Sequence, residues 1–206
     1  MNREQIFDFL LREIHTVVMA NTDDDGKPVT CAIDIMDYDS QGIYFLTAKG
    51  KKFYDRLKKY PFISLTGIKG DSTMKRIAVS VQGNVRECGR DILNKLLERN
   101  KYMYDIYPTE QSQKNLTAFI IYEGHGEWFD LSKKPIDRFS FVFGGTTDVK
   151  SGYYIDENCT SCKKCLSVCP QRCIEIQENR AVINQTHCLH CGNCFEICPI
   201  GAVRRL

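Results

Sequence analysis

The feature that most constrains this chain is a run of four cysteines that occurs twice near the C-terminus. Nine of the eleven cysteines lie between residues 159 and 198. The runs are CTSCKKCLSVCP at 159–170 and CLHCGNCFEICP at 188–199, and each cysteine of the second run follows its counterpart by 29 residues. Upstream, the pair Tyr153-Tyr154 aligns with Val182-Ile183. Two copies of one small unit predict a pseudo-symmetric module over residues 151–206.

The spacing within each run indicates which metal centre the cysteines bind. Each run has the form C-x2-C-x2-C-x3-C-P, which is typical of [4Fe–4S] sites because every iron of the cube needs one thiolate. Three closely spaced cysteines wrap one cluster, and the fourth begins a segment that leads away and ligates the other cluster. The spacing predicts two clusters, one on Cys159, Cys162, Cys165 and Cys198, and the other on Cys188, Cys191, Cys194 and Cys169.

The alternative is a pair of zinc sites, which typically use two separated cysteine pairs. Two uninterrupted runs that both end in Cys-Pro fit zinc poorly. Cys173 is a ninth cysteine of the module, and the repeat aligns it with Ala202. We therefore predict a small buried side chain at Cys173 rather than a ligand. His187 and His190 flank the second run and are expected near the cluster but not on it.

Composition limits where the protein works and what it binds. The chain has 206 residues, 43% of them apolar, and a net charge of only +2, so charge gives no argument for a nucleic-acid or membrane partner. The N-terminal stretch has Arg12 and Glu13 among its apolar residues and does not resemble a signal peptide. We expect a cytoplasmic protein in which the cysteines bind metal instead of forming disulfides.

Residues 1–130 are expected to form an α+β domain with many short antiparallel strands, which suggests a closed or nearly closed barrel. A connector is expected at 131–150. The predicted helices are 3–14, 51–60 and 90–104, and the predicted strands are 16–21, 29–36, 43–47, 62–68, 77–85, 116–122 and 126–131.

Three phenylalanines alternate in the connector, at Phe139, Phe141 and Phe143. The simpler interpretation is a strand that packs against the barrel or the second domain. The alternative is an aromatic surface beside a cofactor.

The segment TAKGKKFYDRLKKYP indicates an anion site. Lys49, Lys51 and Lys52 lie at the start of a short predicted helix, where cations oppose the helix dipole and free N–H groups need acceptors. A bound phosphate would satisfy both, and a solvated basic patch is the alternative.

A resemblance supports the phosphate. The segments GKPVTCAIDIM, GIYFLTAKGKKFYDRLKKYP and GEWFDLS resemble the pyridoxamine 5′-phosphate oxidase-like split-barrel flavoproteins, and 151–206 resembles two-cluster ferredoxins. The resemblance implies an antiparallel split β-barrel of the FMN-binding type followed by a small 2[4Fe–4S] ferredoxin-like domain. It further implies a homodimer with FMN at the subunit interface, the phosphate held by the strand-to-helix segment and the ring along an earlier strand. The matching residues are Thr30, Cys31, Ala32, Ile33, Thr47, Ala48, Lys51 and Lys52.

Two positions depart from many relatives. Ser80 occupies a place where many relatives carry arginine, and Cys31 a place where some do, which weakens the transfer of the vitamin B6 oxidase activity to this chain. Cys31 is either a redox thiol near the flavin or a small buried strand residue. His125, between two glycines, is a candidate proton donor.

The leading hypothesis is an FMN-dependent oxidoreductase that passes electrons between two [4Fe–4S] clusters and FMN to reduce a small-molecule substrate. A redox partner protein would supply or take up the electrons. The sequence contains no G-x-G-x-x-G fingerprint, so it does not indicate direct use of NAD(P)H. A non-enzymatic electron carrier and a redox or oxygen sensor are the alternatives.

Overall fold

The computed structural model of the chain describes residues 1–147 and 151–206. The last three residues of the predicted connector, 148–150, lie outside the described residues. The chain divides into two compact units. The barrel unit comprises Met1–Lys69, Ala78–Glu127 and 140–147, and the cysteine-rich unit comprises Gly70–Ile77, Trp128–Phe139 and 151–206.

The barrel unit begins with the predicted N-terminal helix. Helix α1 spans Arg3–Phe9, and a π-helical turn at Leu10–Ile14 continues it. Asn2 caps the helix, because its side chain accepts from the Gln5 backbone N–H while the Gln5 side chain accepts from Asn2, both at 2.9 Å. Ile6 and Phe7 of the helix and Leu10 of the π-helical turn are buried in the core.

Seven strands follow in one sheet. The sheet order is β3-β2-β1-β4-β5-β6-β7, and an additional β3–β6 pairing closes the first six strands into an antiparallel barrel with β7 outside. This confirms the predicted barrel. The strands are β1 Thr16–Thr22, β2 Pro28–Asp39, β3 Gly42–Ala48, β4 Phe62–Lys69, β5 Ile77–Glu87, β6 Leu116–Asp130 and β7 Asp137–Phe143.

The barrel buries apolar side chains on both sides of its wall. Inside, the rings of Phe45 and Phe119 stack with centroids 5.7 Å apart across the β3–β6 closure. Outside, Leu93, Leu96 and Leu97 of a helix over the closure join a second apolar cluster. Every residue of β3 before Ala48 is therefore buried.

The remaining helices of the barrel unit are short. The predicted helix 90–104 is interrupted at Asn100, whose side-chain amide donates to the carbonyls of Met36 at 2.9 Å and Leu96 at 2.8 Å. These bonds satisfy a carbonyl of the last turn and end the helix. The helices are α2 Lys52–Lys59, α3 Arg90–Arg99, α4 Met103–Ile106 and α5 Glu110–Gln113.

The predicted pair of strands at 116–122 and 126–131 is wrong, because β6 is one continuous strand. Its glycines permit close approach of neighbouring backbone instead of forming a turn. A Cβ at Gly124 would lie 2.1 Å from the Gln82 carbonyl oxygen, and one at Gly126 would lie 2.4 Å from the ring of Phe141.

The connector phenylalanines pack in the barrel unit. Phe141 and Phe143 of β7 are buried, and their rings lie 5.9 and 5.3 Å from the ring of Phe7 in edge-to-face contacts. This confirms the interpretation of a packing strand, at least for these two residues.

The cysteine-rich unit contains two copies of one motif, as predicted. Strand β8, helix α6 and strand β9 of the first copy correspond to β10, α7 and β11 of the second, and the strands pair as β8–β11 and β9–β10. The elements are β8 Tyr153–Ile155, α6 Lys164–Ser167, β9 Ile174–Gln177, β10 Arg180–Ile183, α7 Asn193–Ile197 and β11 Val203–Arg205.

The repeat extends to the backbone conformation of the cysteine loops. Three left-handed positions of the first copy recur 29 residues later. Ser161 and His190 have φ of 55° and 56°, while Lys163 and Gly192 have 63° and 85°. The third pair is Arg172 and Gly201. Among the described residues, no helix has the length and apolar character that a membrane crossing requires.

Candidate functional site

The cysteines of the first predicted cluster surround one cavity. Cys159, Cys162 and Cys165 line it from the first run, and Cys198 reaches it from the end of the second run. The structure thus brings together the four side chains that the spacing grouped. Lys163, Lys164 and Ile200 stand on the same rim.

A second cavity has the corresponding composition. Cys188, Cys191 and Cys194 line it together with Cys169 from the first run. The empty space at the two cavities, counted with the part that is open to solvent, is nearly equal at about 350 and 330 Å³, as two copies of one unit should give. Among the described residues, no three Cys, His, Asp or Glu side chains converge at distances suited to a single metal ion.

Cys173 distinguishes the two cavities. Its exposed fraction is 8%, which confirms the predicted burial, and its sulfur lies 3.5 Å from the Cys169 sulfur on the wall of the second cavity. Its counterpart Ala202 lines the first cavity. Burial and the neighbouring Cys169 raise the pKa of the Cys173 thiol. A protonated thiol therefore lies beside a predicted ligand at the second cavity, whereas the first cavity has Ala202 at the aligned position.

Backbone N–H groups point at several of the sulfurs. Ala202 donates to Cys198 at 3.2 Å, and Ala181 donates to Cys159 at 3.5 Å. Burial opposes ionisation of Cys198, but N–H groups of the following residues outweigh it and lower the pKa of its thiol. Such donors favour thiolate, the form that binds iron.

The two histidines beside the second run make different hydrogen bonds, His187 through its ring and His190 through its backbone N–H. The ring Nδ1 of His187 lies 2.7 Å from the Ile136 carbonyl oxygen, and the backbone N–H of His190 donates to the Cys188 sulfur at 3.4 Å. Arg138 donates to the Cys188 carbonyl at 3.4 Å. The segment Trp128–Phe139 thus lies against the second copy, within the cysteine-rich unit.

Cations at the start of α2 and within it act on Cys31 of β2. Burial raises the pKa of the Cys31 thiol, and the cations Arg56 and Lys51 partly offset this. Arg56 also donates through Nε to the Asn21 side-chain oxygen at 2.9 Å. Two predicted flavin residues, Cys31 and Lys51, are thus close enough for the charge of Lys51 to act on the thiol, and sequence reasoning missed Arg56, which acts on it more strongly, and its partner Asn21.

The two lysines of the predicted phosphate site have different surroundings. The charge of Lys51 acts on the Cys31 thiol, whereas Lys52 lines an open cavity with two further cations, Arg56 and Lys59, and with Asp55 and the aspartates of the turn at 23–25. Lys59 pairs with Asp24 at 2.8 Å across that cavity. Carboxylates repel an anionic ligand, so Lys51 has the better surroundings for a phosphate.

Thr47 and the start of α2 both have unsatisfied polar groups. Thr47 is 3% exposed, and its hydroxyl has no hydrogen-bond partner within the described part of the chain. Lys51 occupies the N-cap of α2 without a capping side-chain bond. Its N–H donates to Ala48 at 3.0 Å, which fixes the turn between β3 and α2. A buried hydroxyl and an uncapped helix start suit an anionic ligand.

The carboxylate of Glu87 links α2 to the barrel through hydrogen bonds, and sequence reasoning missed this residue. Glu87 of β5 accepts from Lys58 at 2.9 Å, Thr117 at 2.8 Å and Tyr54 at 3.2 Å. Although burial opposes it, these partners lower the pKa of Glu87. The only sequence signal was an acidic residue at the end of a strand.

The remaining candidates lie beside Cys31 on β2 and on strands β5 and β6. Thr30 and Ala32 of β2 are exposed, and Ile33 is half-buried. The Ser80 hydroxyl lies 3.4 Å from that of Thr66. His125 is half-buried on β6.

Comparison with known proteins decides the family of the barrel unit. The family model described as pyridoxamine 5′-phosphate oxidase matches residues 3–123, more than half of the chain. The chain belongs to the pyridoxamine 5′-phosphate oxidase family. A second model, described as a 4Fe-4S dicluster domain, matches residues 158–202 and spans all eight predicted cluster cysteines. The chain therefore joins a barrel of this family to an iron–sulfur module.

Solved structures agree on the barrel fold. A NimC/NimA family protein from Clostridium acetobutylicum is similar with a TM-score of 0.56 and 16% identity, over 67% of this chain and 91% of that one. A conserved hypothetical protein from Mycobacterium tuberculosis gives 0.53 and 21%, over 64% and 86%. A protein of C. acetobutylicum related to general stress protein 26 gives 0.52 and 17%, over 68% and 96%. No curated protein matches the sequence.

Proposed function

We propose that the protein is an iron–sulfur flavoprotein that passes electrons between two [4Fe–4S] clusters and FMN and reduces a small acceptor. The observation that carries this proposal is the four-plus-four division of the cysteines between two cavities, in a chain whose other unit is a pyridoxamine 5′-phosphate oxidase family barrel. The clusters carry single electrons and a flavin exchanges a pair, so the combination suits a two-electron acceptor.

In this proposal the first cavity holds one cluster and the second holds the other. Cys159, Cys162, Cys165 and Cys198 ligate the first, and Cys169, Cys188, Cys191 and Cys194 the second. The donor chemistry fits, because four predicted ligand thiols line each cavity, with Cys173 as a fifth thiol in the second, and backbone N–H groups stabilise negative charge on three of the ligand sulfurs. Zinc in the same cavities is the competing occupant.

FMN fits the unsatisfied groups at the β3–α2 turn. Lys51 and Lys52, with the N–H groups at the start of α2, would hold the phosphate, and the Thr47 hydroxyl would gain the partner that it lacks. Thr30, Cys31, Ala32 and Ile33 would carry the ring. The barrel residues bind and orient the cofactor, and Glu87 holds α2 in place for them.

Exposed apolar residues near β2, the strand proposed to carry the flavin ring, support a homodimer. Val18 and Ala32 are paired on the outward face of β1 and β2, where Val18 is 56% exposed, and Phe62 on neighbouring β4 is 49% exposed. A second copy would cover this apolar face and the flavin along it. Light scattering tests this, and a monomer with full flavin occupancy would contradict it.

The test of the proposed function is the composition and turnover of anaerobically purified protein. We expect about eight iron and eight sulfide per chain, the content of two clusters, with bound FMN. Reduced protein should then transfer electrons to a small acceptor without an added partner. Full cofactor content without turnover would indicate the electron carrier instead. Stoichiometric zinc without labile sulfide would overturn the proposal.

A further inference from the structure

The internal repeat permits a residue-by-residue comparison of the two cluster cavities. Lys163 and Lys164 line the first cavity, and the aligned residues that line the second are Gly192 and Asn193. Among the residues that the structure describes, no acidic side chain lines either cavity. The first cavity is therefore cationic at its rim, although the whole module has six basic against five acidic residues.

Both lysines are available to a partner. They are exposed, and among the described residues neither ammonium group has a carboxylate within ion-pair distance. Lys163 has φ of 63°, a left-handed conformation that its counterpart Gly192 adopts without strain. A non-glycine residue in that conformation costs stability, so the fold alone does not account for lysine at this position.

The same rim carries exposed apolar surface. Ile200 lines the first cavity with 48% of its surface exposed, and Cys162 beside the lysines is exposed as well. The residue aligned with Ile200 is Gln171, whose side chain accepts from the Ile136 backbone N–H at 3.1 Å. At the second cavity this position is therefore engaged by Trp128–Phe139, whereas at the first it faces solvent.

We propose that Cys162, Lys163, Lys164 and Ile200 form the docking face of an acidic one-electron carrier protein, and that electrons enter the molecule at the first cavity. This rests on the proposed function of the two clusters. Complementary charge steers the carrier to the lysines, and Ile200 supplies apolar contact at the centre. In each encounter the reduced carrier loses one electron and the cluster gains one. The second cavity, with Trp128–Phe139 against it, then receives the electron inside the protein.

The decisive variant is Lys163→Gly/Lys164→Asn, which gives the first copy the residues of the second. It also removes the cost of holding a lysine in a left-handed conformation at position 163. The matched control is Lys133→Asn/Lys134→Asn, which removes the same charge from exposed lysines of the segment beside the second copy. Each protein is mixed rapidly with a reduced, strongly acidic bacterial ferredoxin, and the cluster absorbance is followed from low to high salt.

We expect the docking variant to be reduced about tenfold more slowly than wild type at low salt, with the difference shrinking as salt screens the charges. The control should stay within about twofold. Iron content and reduction by dithionite should be unchanged in both. Equal rates for the docking variant and wild type would overturn the proposal, as would slowing confined to the control. Because the readout is the cluster band, absence of flavin would defeat the proposed function and leave this test valid.

Discussion

The two units of the molecule hold their candidate sites in different ways. In the cysteine-rich unit, side chains of one type at fixed spacing line both cavities. In the barrel unit, the candidate flavin site draws single residues from several elements: Asn21 on β1, Cys31 on β2, Thr47 on β3 and Arg56 on α2. The first arrangement follows from a spacing that the sequence repeats, whereas the second exists only once the barrel closes. Changes in the two units should therefore differ in size and in what they affect.

The largest effect is expected from removing a predicted ligand in the cysteine-rich unit. Cys169→Ala should lose the second cluster and leave about four iron per chain, because each [4Fe–4S] cube needs four thiolates. Cys173→Ala, whose sulfur lies only 3.5 Å away, should keep about eight. Iron and sulfide assays with electron paramagnetic resonance of the reduced protein measure both.

The nearness of the two sulfurs makes a further control necessary. In Cys169→Ala the thiol of Cys173 could replace the lost ligand, so the double variant Cys169→Ala/Cys173→Ala fixes the minimum iron content. If Cys173→Ala alone loses a cluster, the repeat alignment with Ala202 misassigned this residue.

The next effect concerns the phosphate site of the barrel unit. Lys51→Ala/Lys52→Ala should weaken FMN binding by several kcal/mol, since charge-assisted hydrogen bonds contribute about 1.5–3 kcal/mol each. Of the single variants, Lys51→Ala should cost more, because Lys52 shares its cavity with the aspartates at 23–25. Flavin fluorescence titration measures each affinity, with Lys27→Ala as a control on an exposed lysine. Equal FMN affinity in the double variant and wild type would show that these lysines do not bind the phosphate.

Glu87→Gln tests the attachment of α2 to the barrel. The variant should lose about 1.5–3 kcal/mol of stability at pH 7, because it weakens the bonds from Lys58, Thr117 and Tyr54. The folded protein lowers the pKa of Glu87 from its ordinary value near 4.5. Its contribution is therefore present above that pH and is lost as the pH falls through the lowered pKa.

Denaturant titrations followed by circular dichroism should show the difference from wild type shrinking toward acid pH. Asp25→Asn, in an exposed pair with Lys27, is the matched control and should change stability by less than about 1 kcal/mol. A difference that is constant with pH would show that the charge of Glu87 is not responsible.

The smallest effect should separate binding from folding at Thr47. Thr47→Val removes a buried hydroxyl that has no hydrogen-bond partner among the described residues, so the flavin-free protein should gain about 1 kcal/mol of stability while FMN binding weakens by about 1 kcal/mol. Thr117 lies opposite Thr47 in the β3–β6 pairing, and its hydroxyl donates to Glu87. Thr117→Val should therefore destabilise the flavin-free protein. Destabilisation by both variants would mean that the Thr47 hydroxyl already has a structural role.

The same comparison explains what the sequence could predict. The grouping of the cysteines around two cavities follows from spacing and repetition, which need no knowledge of the rest of the fold. The barrel strands follow from alternating apolar residues and turns. The cluster ligation and the FMN-binding residues stay predictions.

What the sequence could not predict depends on distant neighbours. Gly124 and Gly126 suggested a turn, but the adjacent backbone at Gln82 and the ring of Phe141 explain them within one strand. Arg56 and Glu87 carry no local signal, because their partners Asn21 and Lys58 lie 35 and 29 residues away. Such contacts become visible only when the chain is folded.

The measurement that tests the central claim most directly is rapid-mixing reduction of wild type and of Lys51→Ala/Lys52→Ala, with the cluster and flavin bands followed separately. We predict that in wild type the cluster band bleaches first, the flavin band follows, and a small acceptor reoxidises both. In the double variant the clusters should be reduced normally, but the acceptor should not be turned over. A wild-type protein that contains both clusters but no flavin, or a double variant with full flavin and full turnover, would contradict the account.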